Sequence, residues 1–250
     1  MKTKKTIKTP VQTLRLKLAT NIVLSVLVLS VGSLCLSTDE RSVQTESGNY
    51  QIYRSASENA VGVSLMFNVY QNTKEVERIL GVLENYQAKA TFFIGGCWAD
   101  DNVECLKAID AAGHEIGNHG YFHKAHEKLN FNDNKKEIQS CNQFIELAIG
   151  KKVTLFAPPS GAYCEYTLSA CQELQMKTVL WSRDTIDWRD HDASLIYTRA
   201  TKDIKKGEFV LMHPTSATVD ALGDILKFYQ AQNLQAVTVS ENLGFKKEEG

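Results

Sequence analysis

The amino-acid sequence predicts an α/β fold, a (β/α) barrel of parallel strands, standing behind an N-terminal membrane segment. Three observations lead there. From residue 61 onward, short apolar runs alternate with amphipathic stretches, the order that builds parallel sheets through right-handed crossovers. The runs are continuously apolar, as strands are when both faces of a sheet are buried. Neither glycine pattern of an open nucleotide-binding sheet, GxGxxG or GxxxxGK[ST], occurs, and the first strand runs instead into Phe67-Asn68-Val69-Tyr70. A barrel is therefore the better closure than an open sheet.

Taken in order, Val61–Phe67 is the first strand. It is followed by a helix over Thr73–Tyr86, where Val76, Ile79, Leu80 and Leu83 recur at helical spacing. Asn72 with Glu75 predicts a capping box at its start. Strand Ala90–Ile94 leads to a helix over Val103–Ala112, with Gly113 where a left-handed cap belongs. Strand His114–Asn118 precedes a helix over Lys135–Ile149, in which Ile138, Cys141 and Ile145 face inward. Asn134 with Glu137 predicts its capping box, and Gly150 closes it. Then alternate strand Val153–Phe156, helix Tyr166–Leu174, strand Thr178–Ser182, helix Leu195–Ile204, strand Phe209–Met212, helix Val219–Gln232 and strand Ala236–Val239. The total is about seven strands, in keeping with short parallel-sheet runs.

The head of the chain differs from the rest. Lys2, Lys4, Lys5, Lys8, Arg15 and Lys17 precede any acid, and an apolar run follows from Leu18 to Leu36. About twenty such residues span a bilayer, and flanking bases keep that end in the cytosol. The length favours an uncleaved anchor, and Val31-Gly32-Ser33 would serve as a cleavage site if the segment is a signal peptide. The chain then divides into a basic head (1–17), an anchor or signal peptide (18–37), a polar linker (38–60), a barrel (61–245) and a charged tail (246–250). The expected location is the extracellular face of the cytoplasmic membrane, or outside the cell if the segment is cut.

Once the six basic residues of the head are set aside, the body holds 28 − 6 = 22 bases against 29 acids, a net of −7. An acidic body without a basic stripe argues against a nucleic-acid partner. Cys35 lies in the apolar run, which leaves Cys97, Cys105, Cys141, Cys164 and Cys171. Cys97 with Cys105 and Cys164 with Cys171 are near enough in sequence to pair, although spacing alone does not set the geometry. No CxxC or Cys/His zinc spacing is present.

In a (β/α) barrel, functional groups project from the loops that follow the strands. Asn68 ends the first strand, His119-Gly-Tyr-Phe-His123 follows the third, and Ala157-Pro158-Pro159-Ser160-Gly161 follows the fourth. Asp184-Thr-Ile-Asp187-Trp188 follows the fifth, and His213-Pro214 follows the sixth. Three histidines and two aspartates thus converge on one end. Imidazoles at i and i+4 suit a divalent transition ion such as zinc, so His119 and His123 are candidate ligands. His126 continues that face as a candidate third ligand, with a surface position as its plainer reading. His114 lies within a strand and reads as a core histidine, and His191 has no visible role. His213 is a candidate proton donor, held by Asp184 or Asp187, one of which is expected simply to cap its loop. Trp188 is placed to wall a sugar groove.

These motifs, in this order, resemble the NodB-homology polysaccharide deacetylases, carbohydrate esterase family four, over roughly Val61 to Leu243. The resemblance rests on Val63-Ser-Leu-Met-Phe67, Ala90-Thr-Phe-Phe-Ile94, Gly113-His-Glu-Ile-Gly-Asn-His119, Leu155-Phe-Ala-Pro-Pro-Ser-Gly161, Asp184-Thr-Ile-Asp-Trp188 and Leu211-Met-His213. It implies a distorted barrel that removes acetyl groups from N-acetylglucosamine in peptidoglycan or chitin-like chains. It also implies a metal on His119, His123 and an aspartate, a second aspartate as base, and His213 as acid. Pro158 and Trp188 would border the substrate.

The departures fall on the chemistry. Where the family has adjacent aspartates, base then ligand, this chain has Asn68 and Val69; where it has an arginine and a tyrosine around the proline pair, it has Ala157 and Ser160. An amide does not accept a proton from water as a carboxylate does. The leading function is a metal-dependent polysaccharide N-deacetylase with an altered site, and the alternative is a glycan-binding member of the same fold with impaired chemistry.

Overall fold

The computed structural model describes residues 50–57 and 59–245. The basic head, the apolar segment 18–37, most of the linker and the tail 246–250 lie outside them. Among the described residues, no helix is long and apolar enough to cross a membrane.

In chain order the strands are β1 (Ile52–Tyr53), β2 (Val63–Val69), β3 (Thr91–Ile94), β4 (Glu115–Asn118), β5 (Leu155–Phe156), β6 (Lys177–Val179), β7 (Arg183–Asp184), β8 (Phe209–Met212) and β9 (Ala236–Val237). The helices are α1 (Thr73–Asn85), α2 (Gly96–Asp101), α3 (Val103–Ala111), α4 (Phe131–Ile149), α5 (Glu165–Glu173), α6 (Asp187–Asp190), α7 (Ala193–Thr201), α8 (Ser216–Ala231) and α9 (Val239–Leu243). One sheet contains all nine strands in the order β1-β6-β5-β4-β3-β2-β8-β7, with β9 joining β2. Each paired ladder is parallel.

Parallel register aligns the strand ends, and this is what assembles the site. Phe67 of β2 sits beside Phe92 of β3 and Met212 of β8, so Asn68 lies level with the start of the loop that carries His213. Successive strand residues point to opposite faces. Met66 accordingly packs inside the curled sheet with Phe93, Leu155, Ala157, Val179, Phe209 and Val239. Leu65, Phe67 and Val69 face the layer shared with the helices, among Val76, Ile79 and Leu83 of α1. Asn68 follows the parity of Met66. Gly117 has a packing cause: a Cβ there would stand 2.5 Å from the Phe93 ring.

The sheet curls into a distorted parallel barrel whose edges, β1 and β7, are not joined by a ladder. Leu180 N donates to Tyr53 O at 2.7 Å, Ser182 N donates to Phe209 O at 3.1 Å, and Ser55 bridges Glu208. The expected strand Thr178–Ser182 is therefore two strands, because the chain changes partner from β1 to β8 between residues 180 and 182.

Several local expectations need correcting. β1 falls within the stretch expected as linker, since Ile52 and Tyr53 pair with Thr178 and Val179. Asn72 forms no capping box. Its backbone is left-handed (φ 63°) and its side chain donates to Pro214 O at 2.9 Å, tying the loop after β2 to the loop after β8. Helix α4 begins at Phe131, capped by Asn130, whose side chain accepts from Asp133 N. Asn134 and Glu137 therefore lie inside the helix, with other work to do. The last expected strand stops at Val237, where Thr238 and Glu241 cap α9. The five cysteines among the described residues are all free thiols, so neither expected pairing is present.

Candidate functional site

The histidine loop leaves β4 directly. His119 is buried, its backbone N donates to Ile94 O at 2.9 Å, and its Nδ1 meets Ala157 O at 2.7 Å. A carbonyl only accepts, so Nδ1 carries the proton and Nε2 keeps its lone pair. Burial holds the imidazole well below its usual pKa. His123 adopts a left-handed backbone (φ 53°), and its ring centroid stands 5.1 Å from that of His119.

Helix α4 braces this loop. Gly120 N donates to Asn118 Oδ1, and Phe122 N donates to Glu137 Oε2 at 2.8 Å. Lys124 pairs with the other Glu137 oxygen at 2.8 Å. His126 is fully buried rather than on the surface, with Nδ1 on Asn134 Oδ1 at 2.6 Å, and Asn134 Nδ2 returns bonds to His126 O, Leu129 O and Asn130 O. Asn134 and Glu137, whose spacing predicts a cap, are thus struts of the histidine loop. Gly120 is required twice over, by its left-handed φ of 76° and because a Cβ would stand 3.0 Å from His126 Nε2.

A second cluster forms where β7 and β8 end. Asp187 is fully buried, and its Oδ1 accepts from His213 Nδ1 at 2.8 Å and from Trp188 N at 2.9 Å. Its Oδ2 accepts from His213 N and from Thr218 Oγ1, each at 2.6 Å. Of the two candidate aspartates, Asp187 holds His213. Asp184 accepts from Ile186 N at 2.8 Å and shapes the turn. Held through Nδ1, the partly exposed His213 imidazole has Nε2 left to donate a proton. Nothing in the local sequence singles out Thr218, which precedes the helix expected over Val219–Gln232. The electrostatic influence of His213 on both His119 and His123 puts all three imidazoles within one neighbourhood.

The third part is the end of β2. Asn68 is 2% exposed and its Oδ1 has no hydrogen-bond partner. Val69 is buried against helix side chains. Tyr70 lays its ring 4.0 Å from the His123 ring and 6.4 Å from that of His119. Pro158, in the loop after β5, is buried, and Trp188 is exposed on the short helix α6 that follows β7.

A divalent ion does not fit this donor set well. His119 and His123 offer two imidazoles, but the third position is an apolar side chain. Among the described residues, no group of three or more His, Cys, Asp or Glu is placed to hold a metal. Tight transition-ion sites need at least three protein ligands.

Burial gives the histidines a measurable pH signature. Folding holds His119, His123 and His126 below their usual pKa, and holds His114 down to about 4, chiefly by desolvation. The unfolded chain takes up these protons near pH 6.5, so stability is complete above that value and falls as pH drops toward 4. Glu115, whose buried carboxyl is raised, acts in the opposite sense. The expected net result is a loss on the order of a few kcal/mol between pH 7 and 5, read from urea midpoints. Equal midpoints at the two pH values would refute it.

This geometry matches known proteins. The family model for polysaccharide deacetylases matches residues 56–179. A peptidoglycan-N-acetylglucosamine deacetylase of Bacillus cereus is 32% identical over 74% of this chain and 89% of its own length. The chain belongs to the polysaccharide deacetylase family, of the NodB-homology, carbohydrate esterase four type. Members of this family generally use a divalent metal. The uncharacterised Bacillus subtilis protein YlxY is 37% identical over 72% of this chain, a match that spans 56% of YlxY. The crystal structure of BA3943, described as a CE4 family pseudoenzyme from Bacillus anthracis, superposes with a TM-score of 0.75 at 33% identity, covering 81% of this chain and 72% of that one. A BA3943 mutant described as having restored enzymatic activity superposes equally well, at 32% identity.

Proposed function

We propose that this chain is a glycan-binding member of the peptidoglycan deacetylase family, taking N-acetylglucosamine-containing polysaccharide at the strand ends with strongly attenuated deacetylation. The observation that carries the reading is the end of β2. Asn68 presents a buried amide oxygen without a partner, and Val69, at the position where the family has a carboxylate, packs an apolar side chain against the helices. Neither residue takes a proton from water. Likeness to a pseudoenzyme whose mutant is described as regaining activity supports a dormant site. Names of relatives that act on peptidoglycan support the ligand class, peptidoglycan or chitin-like chains.

A second reading, a working metal-dependent N-deacetylase, is favoured by the intact Asp187, His213 and Thr218 cluster. Asp187 orients His213, and His213 Nε2 is free to protonate a departing amine. Zinc would sit on His119 and His123 with a donor from elsewhere. Incubation with N-acetylglucosamine oligomers, with and without zinc, separates the readings. Binding with almost no acetate release is expected. Zinc-dependent turnover at the common enzymatic rate of about 1 s⁻¹ or more would establish the second reading instead.

The basic head and apolar segment 18–37 support a place on the outer face of the cytoplasmic membrane, or beyond it if cleaved. Protease added to intact cells should then digest the barrel, and protection that persists until lysis would contradict this placement.

A further inference from the structure

We propose that Tyr70, with its inner face stacked on the His123 ring, offers its outer face as a platform for the apolar face of an N-acetylated pyranose, so that glycan binding needs no metal ion. The inference rests on the glycan-binding reading and names the surface that does the binding. Tyr70 and His123 are 4.0 Å apart between ring centroids with planes 32° apart, and Tyr70 keeps 36% of its surface exposed. Both rings are fixed by neighbours. Gly95 N donates to Val69 O at 2.8 Å, and a Cβ on Gly95 would come within 3.3 Å of Tyr70 Cβ, so the base of Tyr70 sits tight against the loop after β3.

His123 is held from both sides by Glu137, which accepts from Phe122 N and Lys124 Nζ. Its left-handed backbone is set by that bracing. A binding surface ordered before the ligand arrives loses little entropy on association.

The chemistry suits a sugar. An aromatic face is electron-rich, and the axial C–H groups of a pyranose are weakly positive, so the two attract as the water between them is released.

The test is calorimetric titration of the full chain with tetra-N-acetylchitotetraose, with and without EDTA. Wild type should bind equally in both. Tyr70→Ala should weaken binding by about tenfold, and Tyr70→Phe, which keeps the ring, should stay within about twofold. Unchanged affinity in Tyr70→Ala overturns this inference and leaves glycan binding standing. Loss of wild-type binding in EDTA overturns the metal-free platform. A wild-type chain that binds no glycan overturns this inference and the proposed function together. If Tyr70→Ala fails to fold, the His123 ring-proton signals of wild type carry the test. They should shift on glycan addition, and signals that do not move overturn the proposal.

Discussion

Asn68→Asp combined with Val69→Asp should raise acetate release by about 10²- to 10⁴-fold, the usual worth of a positioned general base. It should also create a stoichiometric zinc site. The new carboxylate at position 68 enters a place where the present amide is 2% exposed, and Ala157 supplies no cation beside it. Desolvation will hold that carboxyl above its usual pKa, so the base is ionised, and the variant active, only toward higher pH. Adding Ala157→Arg should move this acid limb downward. Position 69 is fully buried among apolar side chains, so the metal-free double variant should melt lower than wild type. Zinc should restore the loss, since a ligand at a hundred times its Kd contributes about 2.7 kcal/mol. A folded, zinc-loaded double variant that releases no acetate would break the assignment of Asn68 and Val69 to the two carboxylate positions.

Asp187→Ala should cost about 3–5 kcal/mol of folding stability, the range for removing one partner of a buried charged network. Four donors converge on this carboxylate: His213 N, His213 Nδ1, Trp188 N and Thr218 Oγ1. Alanine leaves all of them without an acceptor in a place that water does not reach. Asn is a poor substitute, because its amide NH₂ would point a donor at the two donors now facing one oxygen. Thr218→Val removes a single hydroxyl bond and should cost about 1 kcal/mol. Urea denaturation compares the three variants. An Asp187→Ala loss below that of Thr218→Val would show that the loops rearrange and that the cluster is not what holds them.

The parts of this site that were legible in the sequence lie within single loops. His119 and His123 stand out by their spacing after a strand, and His213 by its place at the end of Phe209–Met212. Asn68 and Val69 stand out because motif order exposes what is missing from them. Partnerships across loops were not legible. Asp184 and Asp187 are three residues apart on the same loop, and nothing local says that one shapes a turn while the other is buried against His213. Asn134 and Glu137 have the spacing of a helix cap, and His126 reads as surface. Only when α4 packs against the loop after β4 does it emerge that the helix starts earlier and that all three are buried.

The sequence by itself determined the family, the alternation of strands and helices, and the loops in which chemistry resides, because apolar periodicity and short motifs are properties of neighbouring residues. Tertiary structure alone decided that Asp187 serves His213, that Glu137 braces His123, and that Tyr70 lies over the imidazole a metal would need. It also decided that the expected fifth strand splits where residues 180–182 pass from β1 to β8. Those outcomes depend on how parallel register aligns strand ends distant in sequence, and on which polar groups then lose water and must find each other.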